Sequence, residues 1–505
     1  MEREDLVEKI ISLCKRRGII FPTSEIYGNF AGFFDYGNYG SLMKRNVEDS
    51  WIKHFVTGRD DVVLIDGATI THPLVWKASG HVDSFNDPLV ECKKCHKRFR
   101  ADHLVESKLN ISVDGLAREQ IQELITKHKI VCPECKGEFT VIKMFNLMFK
   151  THVGSTEDDA SATYLRPETA QLIFSDFKQI ATTSRKKLPF GMAQIGRAFR
   201  NEISPRNFVF RSREFTQMEI EFFIHPEKMD KCDLIDKNFE LNVLTEDMQE
   251  KKQDHKKMKV GEILDKNTIR TKWHTYWIVE SLKWLTSIGI REENLRLRQH
   301  VKAELSHYSS ETWDIEYNYP WGWKELVGIA NRGDFDLKQH AKISKEELSY
   351  FDEEAKKRMV PHVIEPSFGL DRIILTLLLD AYDEKVEKGE TKIVLKLNSK
   401  IAPLTVGVFP LMKKDGLDDK ARDITESLKN EIICEYDDSG SIGKRYARMD
   451  EIGTPWCITV DYDSSRDKKV TIRDRDTTKQ KRIKITDVDD VIKSLLAGKT
   501  KFDEA

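Results

Sequence analysis

The segment Gly191–Phe223, GMAQIGRAFRNEISPRNFVFRSREFTQMEIEFF, constrains the fold more than any other part of this chain. It reads as two strands joined by a loop. In the second strand Gln217, Glu219 and Glu221 alternate with Met218, Ile220 and Phe222, the period of two expected of a strand with unlike faces. A sheet face with two carboxylates in register, near Arg200, Arg211 and Arg213, is poor material for an apolar core. It suits a small cation and an anion held side by side. A plain antiparallel hairpin with one wet face fits the same pattern, so the choice rests on what else the chain carries.

A length of 505 residues allows two to four domains. The 84 acidic and 82 basic side chains nearly cancel, which argues against a globally basic nucleic-acid binder but leaves room for a local basic face. The start, MEREDLVEKI, has no signal-peptide core, and the most apolar stretch, Ile373–Leu379, is too short to cross a bilayer. Eight cysteines in such a chain read as reduced thiols or metal ligands. A cytoplasmic protein without membrane attachment is expected.

Leu6, Ile10, Ile11 and Cys14 recur at helical spacing, as do Leu42, Val47, Trp51, Ile52 and Phe55. Between them, residues 26–40 are rich in Gly, Phe and Tyr and read as a loop near a site or interface. Residues 225–290 are charged and helical in pattern. Trp313–Tyr317 and Glu325–Ile329 read as strands. From about Asn398–Pro403 strands and helices alternate in a block of about a hundred residues, the signature of a small α/β domain.

Four local constellations carry chemistry. Cys92-x2-Cys95 and Cys132-x2-Cys135 are paired knuckles that aim four thiolates at one tetrahedral zinc ion, although the 36 residues between them imply an insertion. Four sulfurs leave no open position, so the role is structural; His96 or His103 could replace one ligand. Tyr164–Gln171 (YLRPETAQ) reads as a helix start with Pro167 in its first position, Glu168 in its first turn and Thr163 as a possible cap. Ile364–Arg372 (IEPSFGLDR) reads as a strand, a Pro/Ser/Gly turn and an apolar helix. Arg372 in its first turn opposes the helix dipole, which calls for an anion nearby. Trp321–Ala330 puts Glu325 at the entry of an apolar strand, where it could hold magnesium. No P-loop and no Rossmann glycine turn is present.

Together these segments resemble the class II aminoacyl-tRNA synthetases, and among them the glycyl-tRNA synthetases of the homodimeric type, over nearly the whole chain. Phe199-Arg-Asn-Glu202 with Phe210-Arg-Ser-Arg-Glu-Phe215 is similar to class II motif 2, and Gly369-Leu-Asp-Arg372 to motif 3. Gly80-His-Val-Asp-Ser-Phe, Arg100-Ala-Asp-His, Tyr164–Gln171, Gln217-Met-Glu219 and Glu365-Pro-Ser367 resemble glycyl-specific signatures. The end of the chain resembles the anticodon-binding domain of the glycyl, histidyl, threonyl and prolyl enzymes.

The resemblance implies an α+β, multi-domain chain: an antiparallel catalytic sheet flanked by helices, zinc-knuckle and helical insertions, and a mixed α/β anticodon-binding domain. The expected division is catalytic core 1–89, zinc insertion 90–145, core 146–224, helical insertion 225–292, core 293–398 and anticodon-binding domain 399–505. It implies activation of glycine by ATP with Mg2+, transfer to tRNA(Gly), structural zinc and a homodimer. Arg200 would contact the ATP α-phosphate and Arg372 the γ-phosphate, with Glu325 on magnesium. Asn201, Glu202, Phe210, Arg211, Phe215, Leu326 and Gly369 complete the nucleotide site, with Phe215 under the adenine. Glu168, Gln217, Glu219, Glu365 and Ser367 would surround glycine, with Arg100 at its carboxylate. Lys93, Lys94, Lys97 and Arg98 could meet the tRNA acceptor stem or be a solvated surface. The alternative, a non-catalytic synthetase-like subunit, typically loses the motif arginines, whereas Arg200, Arg372 and Glu325 all stand here. In the motif 1 region Gly37-Asn-Tyr-Gly40 has Asn38 where the family usually has proline, so a less rigid turn is expected.

Overall fold

The computed structural model describes residues 3–504 except 110, 112, 114, 115, 159, 307, 354, 355 and 388. The chain opens with α1 (Arg3–Arg17), whose Ile10, Leu13 and Cys14 enter the main core. α2 (Asn38–Ile52) starts inside the stretch 26–40 expected to be loop, with Gly37 as its N-cap and Asn38 in the first helical position, a place proline also favours. Gly37 and Gly40 are needed for close approach and not for a left-handed turn. A Cβ on Gly40 would lie 1.8 Å from the Ile19 carbonyl oxygen, and one on Gly37 2.4 Å from that of Gly18.

The next elements of the core are β1 (Val62–Ile65), α3 (Ala170–Ser184), β2 (Phe190–Phe199), β3 (Glu214–Ile224), β4 (Glu240–Leu244), β5 (Lys256–Lys259), α4 (Lys272–Ser287), β6 (Leu295–Gln299), β7 (Glu311–Tyr319), β8 (Gly322–Gly333), α5 (Phe335–Ser344), β9 (His362–Gly369) and α6 (Leu370–Ala381). The nine strands form one sheet in the order β5-β4-β6-β7-β8-β9-β3-β2-β1. All neighbours are antiparallel except β4–β6 and β1–β2.

Met218, Ile220, Phe222 and Ile224 of β3 face a core shared with α2, α4 and α6, where Phe222 meets Trp273 and Trp277 at 5.0 Å each. The other face of β3 is not wet. Phe223 packs with Phe174, Phe177 and Leu337 of α3 and α5, and Gln217, Glu219 and Glu221 on the same face are all buried. Tertiary cover is invisible to a period-two pattern, which reports only that the faces differ.

The segment 225–292 differs from its helical reading. It supplies β4, β5 and the buried helix α4 to the main sheet and core. Its lysines have a reason: β5 is an edge strand with Lys256, Lys257 and Lys259 exposed, and charge there discourages edge-to-edge pairing. The expected turn at Pro366-Ser367 is also absent, because β9 runs straight through to Gly369. Its ladder with β3 skips the two positions between Glu219–Ser367 and Phe222–Ile364, where Pro366 has no N–H to donate.

Between Asn86 and Asn146 a three-stranded sheet (Asn86–Glu91, Arg98–Arg100, Lys143–Asn146) and two helices (Ala101–Leu109, Arg118–Lys127) enclose a small separate core of Val90, Val105, Ile121 and Ile125. The chain ends in β10 (Val406–Pro410), α7 (Leu417–Leu428), β11 (Cys434–Tyr436), α8 (Ile442–Ile452), β12 (Trp456–Val460), β13 (Lys469–Asp474), β14 (Gln480–Lys484) and α9 (Val488–Leu496). These strands form a second sheet, β11-β10-β12-β13-β14, with parallel and then antiparallel neighbours. This block touches the core through Tyr39 Oη, which donates to Glu435 at 2.8 Å, and Arg475, which donates to the Leu397 carbonyl at 2.8 Å. Among the described residues no helix is long and apolar enough to cross a membrane.

Gly196 of β2 offers a test of the core. A Cβ there would lie 2.1 Å from Arg166 Nη2, in a buried guanidinium that donates to the carbonyls of Gly67 (2.8 Å) and Arg197 (2.6 Å). Gly196→Ala should displace it and cost about 1–3 kcal/mol, read as a lower urea midpoint. An unchanged midpoint would mean that Arg166 relocates freely.

Candidate active site

A cavity of about 350 Å³ opens where β3, β8 and β9 lie side by side at the Gly369 end of β9. One part of its wall is acidic. Glu219 Oε1 accepts from Ser367 Oγ at 2.6 Å and Gln217 Nε2 at 3.0 Å, and Oε2 accepts from the Thr169 amide at 3.0 Å. Glu168 Oε1 accepts from Gln171 Nε2 at 2.9 Å, and its Oε2 lies 3.4 Å from His81 Nε2. Glu365 Oε1 accepts from Arg332 Nη1 at 2.9 Å.

Arg332 is buried and already committed. Its Nε and Nη2 bind both oxygens of Asp336 at 2.7 Å, and its guanidinium stacks 3.9 Å from the Tyr308 ring centroid. One guanidinium therefore serves several acids, and their ionisation diverges. Against the burial that opposes it, His81, Arg332 and the Gln171 amide hold Glu168 well below the usual carboxylate range. Burial, then the charge of Glu168, raises Glu219. Burial, with Arg332 opposing and Glu219 and Glu168 adding, pushes Glu365 up to about 8. Glu221 is fully buried, neither oxygen has a hydrogen-bond partner, and burial and then Glu365 push it well up.

The rest of the wall carries guanidinium groups. Arg200 donates from Nε to the Pro167 carbonyl at 3.0 Å and sits between the rings of Phe215 (5.3 Å) and Phe85 (5.4 Å). Arg372 donates to Glu325 Oε2 at 3.1 Å and to the Phe210 carbonyl at 3.2 Å, over the Phe210 ring. The anion that its place in the first turn of α6 demands is thus Glu325. Burial opposes ionisation of Glu325, but Arg372, His300 and Arg200 hold it below its ordinary value. Asp314, paired with His300 Nε2 at 2.7 Å, shares its place: a Cβ on Gly328 would lie 3.4 Å from Glu325 Oε1 and 3.7 Å from Asp314 Oδ1. Asp371 accepts from the Thr216 amide at 2.6 Å and from Tyr36 Oη at 2.5 Å, tying α6 to β3 and to the strand before α2.

Residues 149–382 match the model of the tRNA synthetase class II core domain (G, H, P, S and T), and residues 405–495 that of an anticodon-binding domain. The chain is 49% identical over 496 residues to the glycine–tRNA ligase of Caldanaerobacter subterraneus subsp. tengcongensis, covering 97% of this chain and 98% of that protein. It is 48% identical over 509 residues to the glycine–tRNA ligase of Acetivibrio thermocellus (99% and 100%), and 46% over 503 to that of Geobacillus kaustophilus (98% and 99%). The chain belongs to the glycine–tRNA ligase family of class II aminoacyl-tRNA synthetases.

In this glycine–tRNA ligase family member all the nucleotide- and glycine-site residues expected from the sequence line the cavity except Asn201 and Arg100. Asn201 donates its backbone N–H to the Leu147 carbonyl at 2.7 Å. Arg100 is held between Asp87, 2.6 Å away, and Asp102. Glu168 lies before the helix and not in its first turn, since α3 begins at Ala170, and Thr163 donates to the Thr71 carbonyl instead of capping. Arg213 turns away from the cavity to the carbonyls of Glu202 (3.0 Å) and Ala31 (2.8 Å). The sequence reading missed Arg332 and Asp336. Their signal was present: an Arg and an Asp four apart, spanning the end of an apolar strand and the start of a helix.

The four knuckle cysteines do converge, with all Sγ atoms within 4.8 Å of one another, and with 3.4 Å from Cys92 to Cys135 and 3.8 Å from Cys95 to Cys132. A tetrahedron with metal–sulfur bonds of about 2.3 Å needs S···S edges near 3.8 Å, so the cluster fits one ion. Matching backbone turns build it: His96 and Lys136, both at positive φ, return their N–H groups to the carbonyls of Cys92 (2.9 Å) and Cys132 (3.0 Å). Neither candidate histidine joins the cluster. His96 pairs with Glu91, and His103 lies against Arg211.

The raised carboxyl of Glu365 gives a pH test with a defined sign. An unfolded glutamate titrates near 4.5 and the folded one near 8. Between those values the folded protein holds the extra proton, so stability from this group is present at low pH and falls as pH rises. Glu365→Gln should flatten the fall in urea midpoint between pH 5 and 8, by on the order of 1 kcal/mol per pH unit. Identical pH profiles for variant and parent would refute the raised value.

Proposed function

We propose that this chain is an ATP-dependent glycine–tRNA ligase. What carries the reading is that three guanidinium groups (Arg200, Arg211, Arg372) and three acids (Glu168, Glu219, Glu365) face a single cavity in a member of this family. In the first step the glycine carboxylate attacks the α-phosphorus of ATP, the bond to the β-phosphate breaks, and pyrophosphate leaves. No base is needed, because the nucleophile is already ionised. The work is to bring two anions together, and Arg200 at the α-phosphate and Arg372 at the γ-phosphate neutralise them. Phe215 stacks under the adenine, with Phe210, Glu202, Arg211, Leu326 and Gly369 around the nucleotide.

Class II enzymes use ATP with Mg2+, and Glu325 with Asp314 offers the hard oxygen ligands it takes; bound there, it would neutralise phosphate charge. Glu168, Glu219, Glu365, Gln217 and Ser367 hold the glycine ammonium. A tRNA 3′-terminal hydroxyl then attacks the acyl carbon, and AMP leaves. Residues 399–505 read the tRNA, and the catalytic core divides around the knuckle insertion at 90–145. We infer a homodimer from the exposed apolar cluster Ile26, Tyr27 and Phe30, at 87%, 87% and 74% exposure, just before α2. A cytoplasmic location accords with this role. A tRNA contact through the insertion has weaker support, because Lys93, Lys97 and Arg98 pair with Glu138, Glu134 and Glu91 of the same insertion. No observation favours the non-catalytic alternative.

Exchange of labelled pyrophosphate into ATP tests the reading directly: glycine should stimulate it, and serine, threonine and proline should not. Glu219→Gln should raise the KM for glycine about 10-fold or more while the KM for ATP stays within about 2-fold. Equal rises in both would remove Glu219 from the ammonium site. For the knuckles we expect one zinc per chain by metal analysis, retained through gel filtration, and its loss in Cys132→Ser. A full zinc content in that variant would refute four-cysteine binding.

A further inference from the structure

The Arg100-Ala-Asp-His103 segment has no part in the reaction as set out above, yet it lies directly behind a residue of the cavity wall, Arg211. Arg100 ends the strand Arg98–Arg100 of the knuckle insertion, and Asp102 and His103 begin the helix Ala101–Leu109. Arg100 bridges Asp87 on the neighbouring strand to Asp102, and Asp102 Oδ1 accepts the His103 amide at 2.8 Å. This bracket presents His103 Nε2 to Arg211 Nη1 at 3.4 Å. Arg211 is one of the cavity guanidiniums, and it also pairs with Glu202, 3.2 Å from Nε.

We propose that His103 is a positioning residue for Arg211: it fixes one edge of the guanidinium so that the remaining N–H groups face the nucleotide. The insertion that the cysteine knuckles fold thereby sets the hold on ATP. This rests on the proposed ligase reading and deepens its nucleotide site.

The chemistry of the contact has one solution. Arginine can only donate, so Nε2 must accept and the ring proton must sit on Nδ1. The surroundings keep it so. Burial, then Arg100, with Arg206 and Arg211 adding and only Asp102 opposing, pushes the imidazole down to about 3. The lone pair on Nε2 therefore persists across the working pH range. Arg211 in turn is only partly neutralised. Burial and the charges of Arg100 and Arg206 disfavour its cation, and Glu202 and Asp87 offset them. A guanidinium in that position gains from a phosphate or another nucleotide oxygen, provided it is held in the correct orientation.

The test is glycine-dependent pyrophosphate exchange with the full chain, reading KM for ATP and for glycine separately. His103→Ala should raise the KM for ATP about 10-fold and leave that for glycine within about 2-fold. His103→Gln restores an acceptor and should return the KM for ATP to within about 3-fold of the parent. In an Arg211→Ala background, His103→Ala should have no further effect, since it acts through that guanidinium. His103→Phe keeps the ring volume without the acceptor and should show the same rise in the KM for ATP, so the test stands even where the Ala variant folds poorly. An unchanged KM for ATP, parallel rises for both substrates, additive effects in the double variant, or loss of folding in both the Ala and Phe variants would each overturn the proposal. A parent protein with no glycine-dependent exchange would instead overturn the ligase reading itself.

Discussion

One buried guanidinium organises the acidic wall of the cavity. Arg332 binds Asp336 through two hydrogen bonds and Glu365 through a third, and Asp336 is linked in turn through Gln171 to Glu168. Removing the carboxyl groups of Glu168, Glu219, Glu221, Asp336 and Glu365 from water is costly, and a single fixed cation cannot offset them all. The ring responds by splitting: Glu168 stays ionised, whereas Glu219, Glu221 and Glu365 are driven toward the neutral form. Such a ring is short of positive charge. The proposed substrate ammonium would supply it, and each carboxyl that ionised on binding would strengthen the hold. On that proposal, recognition of the substrate cation and tolerance of the buried acids have the same physical origin.

The pleat of β3 and β9 places this ring beside the guanidinium groups proposed to face the phosphates. Glu219 pairs across the ladder with Ser367, and two residues further along each strand Gln217 meets Gly369, where α6 begins and presents Arg372. The step from acid to guanidinium is therefore only a few residues of strand. A mixed anhydride has its ammonium and its phosphate a few ångströms apart, and a sheet that changes sign over that distance accommodates both ends. The Asp371 carboxylate holds the junction through the Thr216 amide and Tyr36.

How much of this was legible in the sequence follows from the kind of signal each feature leaves. The alternation in β3, the paired knuckles and the strand–helix alternation after residue 399 are local patterns, and they survive folding. Cover is not local: nothing in the spacing of Gln217–Phe223 announces that α3 and α5 pack over Phe223, that Glu221 is fully buried, or that Gln217 and Glu219 line a cavity. Pro366 suggested a turn because a central strand usually cannot spare an N–H, yet here the ladder skips that position. The charged, helix-like pattern of residues 225–290 hid β5, whose lysines guard a sheet edge. Arg100 looked available to a ligand until Asp87 and Asp102 were found on either side of it. In each case the missing information was a partner distant in the chain or a neighbour that only the fold brings close.

The proposed choice of glycine also follows from where the cavity has no side chains. Gly328 and Ala330 of β8 line it beside the acids, paired across the ladder with Ser367 and Glu365, and Gln217 completes the acidic wall. No branched or aromatic side chain is needed to measure the substrate. Every competing amino acid is larger than glycine, so exclusion is steric as well as polar. It is easier than the reverse problem of rejecting a smaller analogue, where one missing methylene is worth only about 1–3 kcal/mol. A methyl group on the substrate would press against desolvated carboxylates that cannot move without breaking the Arg332 network. The same bonds that hold the acids in place therefore enforce the size limit, and a looser ring would lose selectivity before it lost affinity for the ammonium.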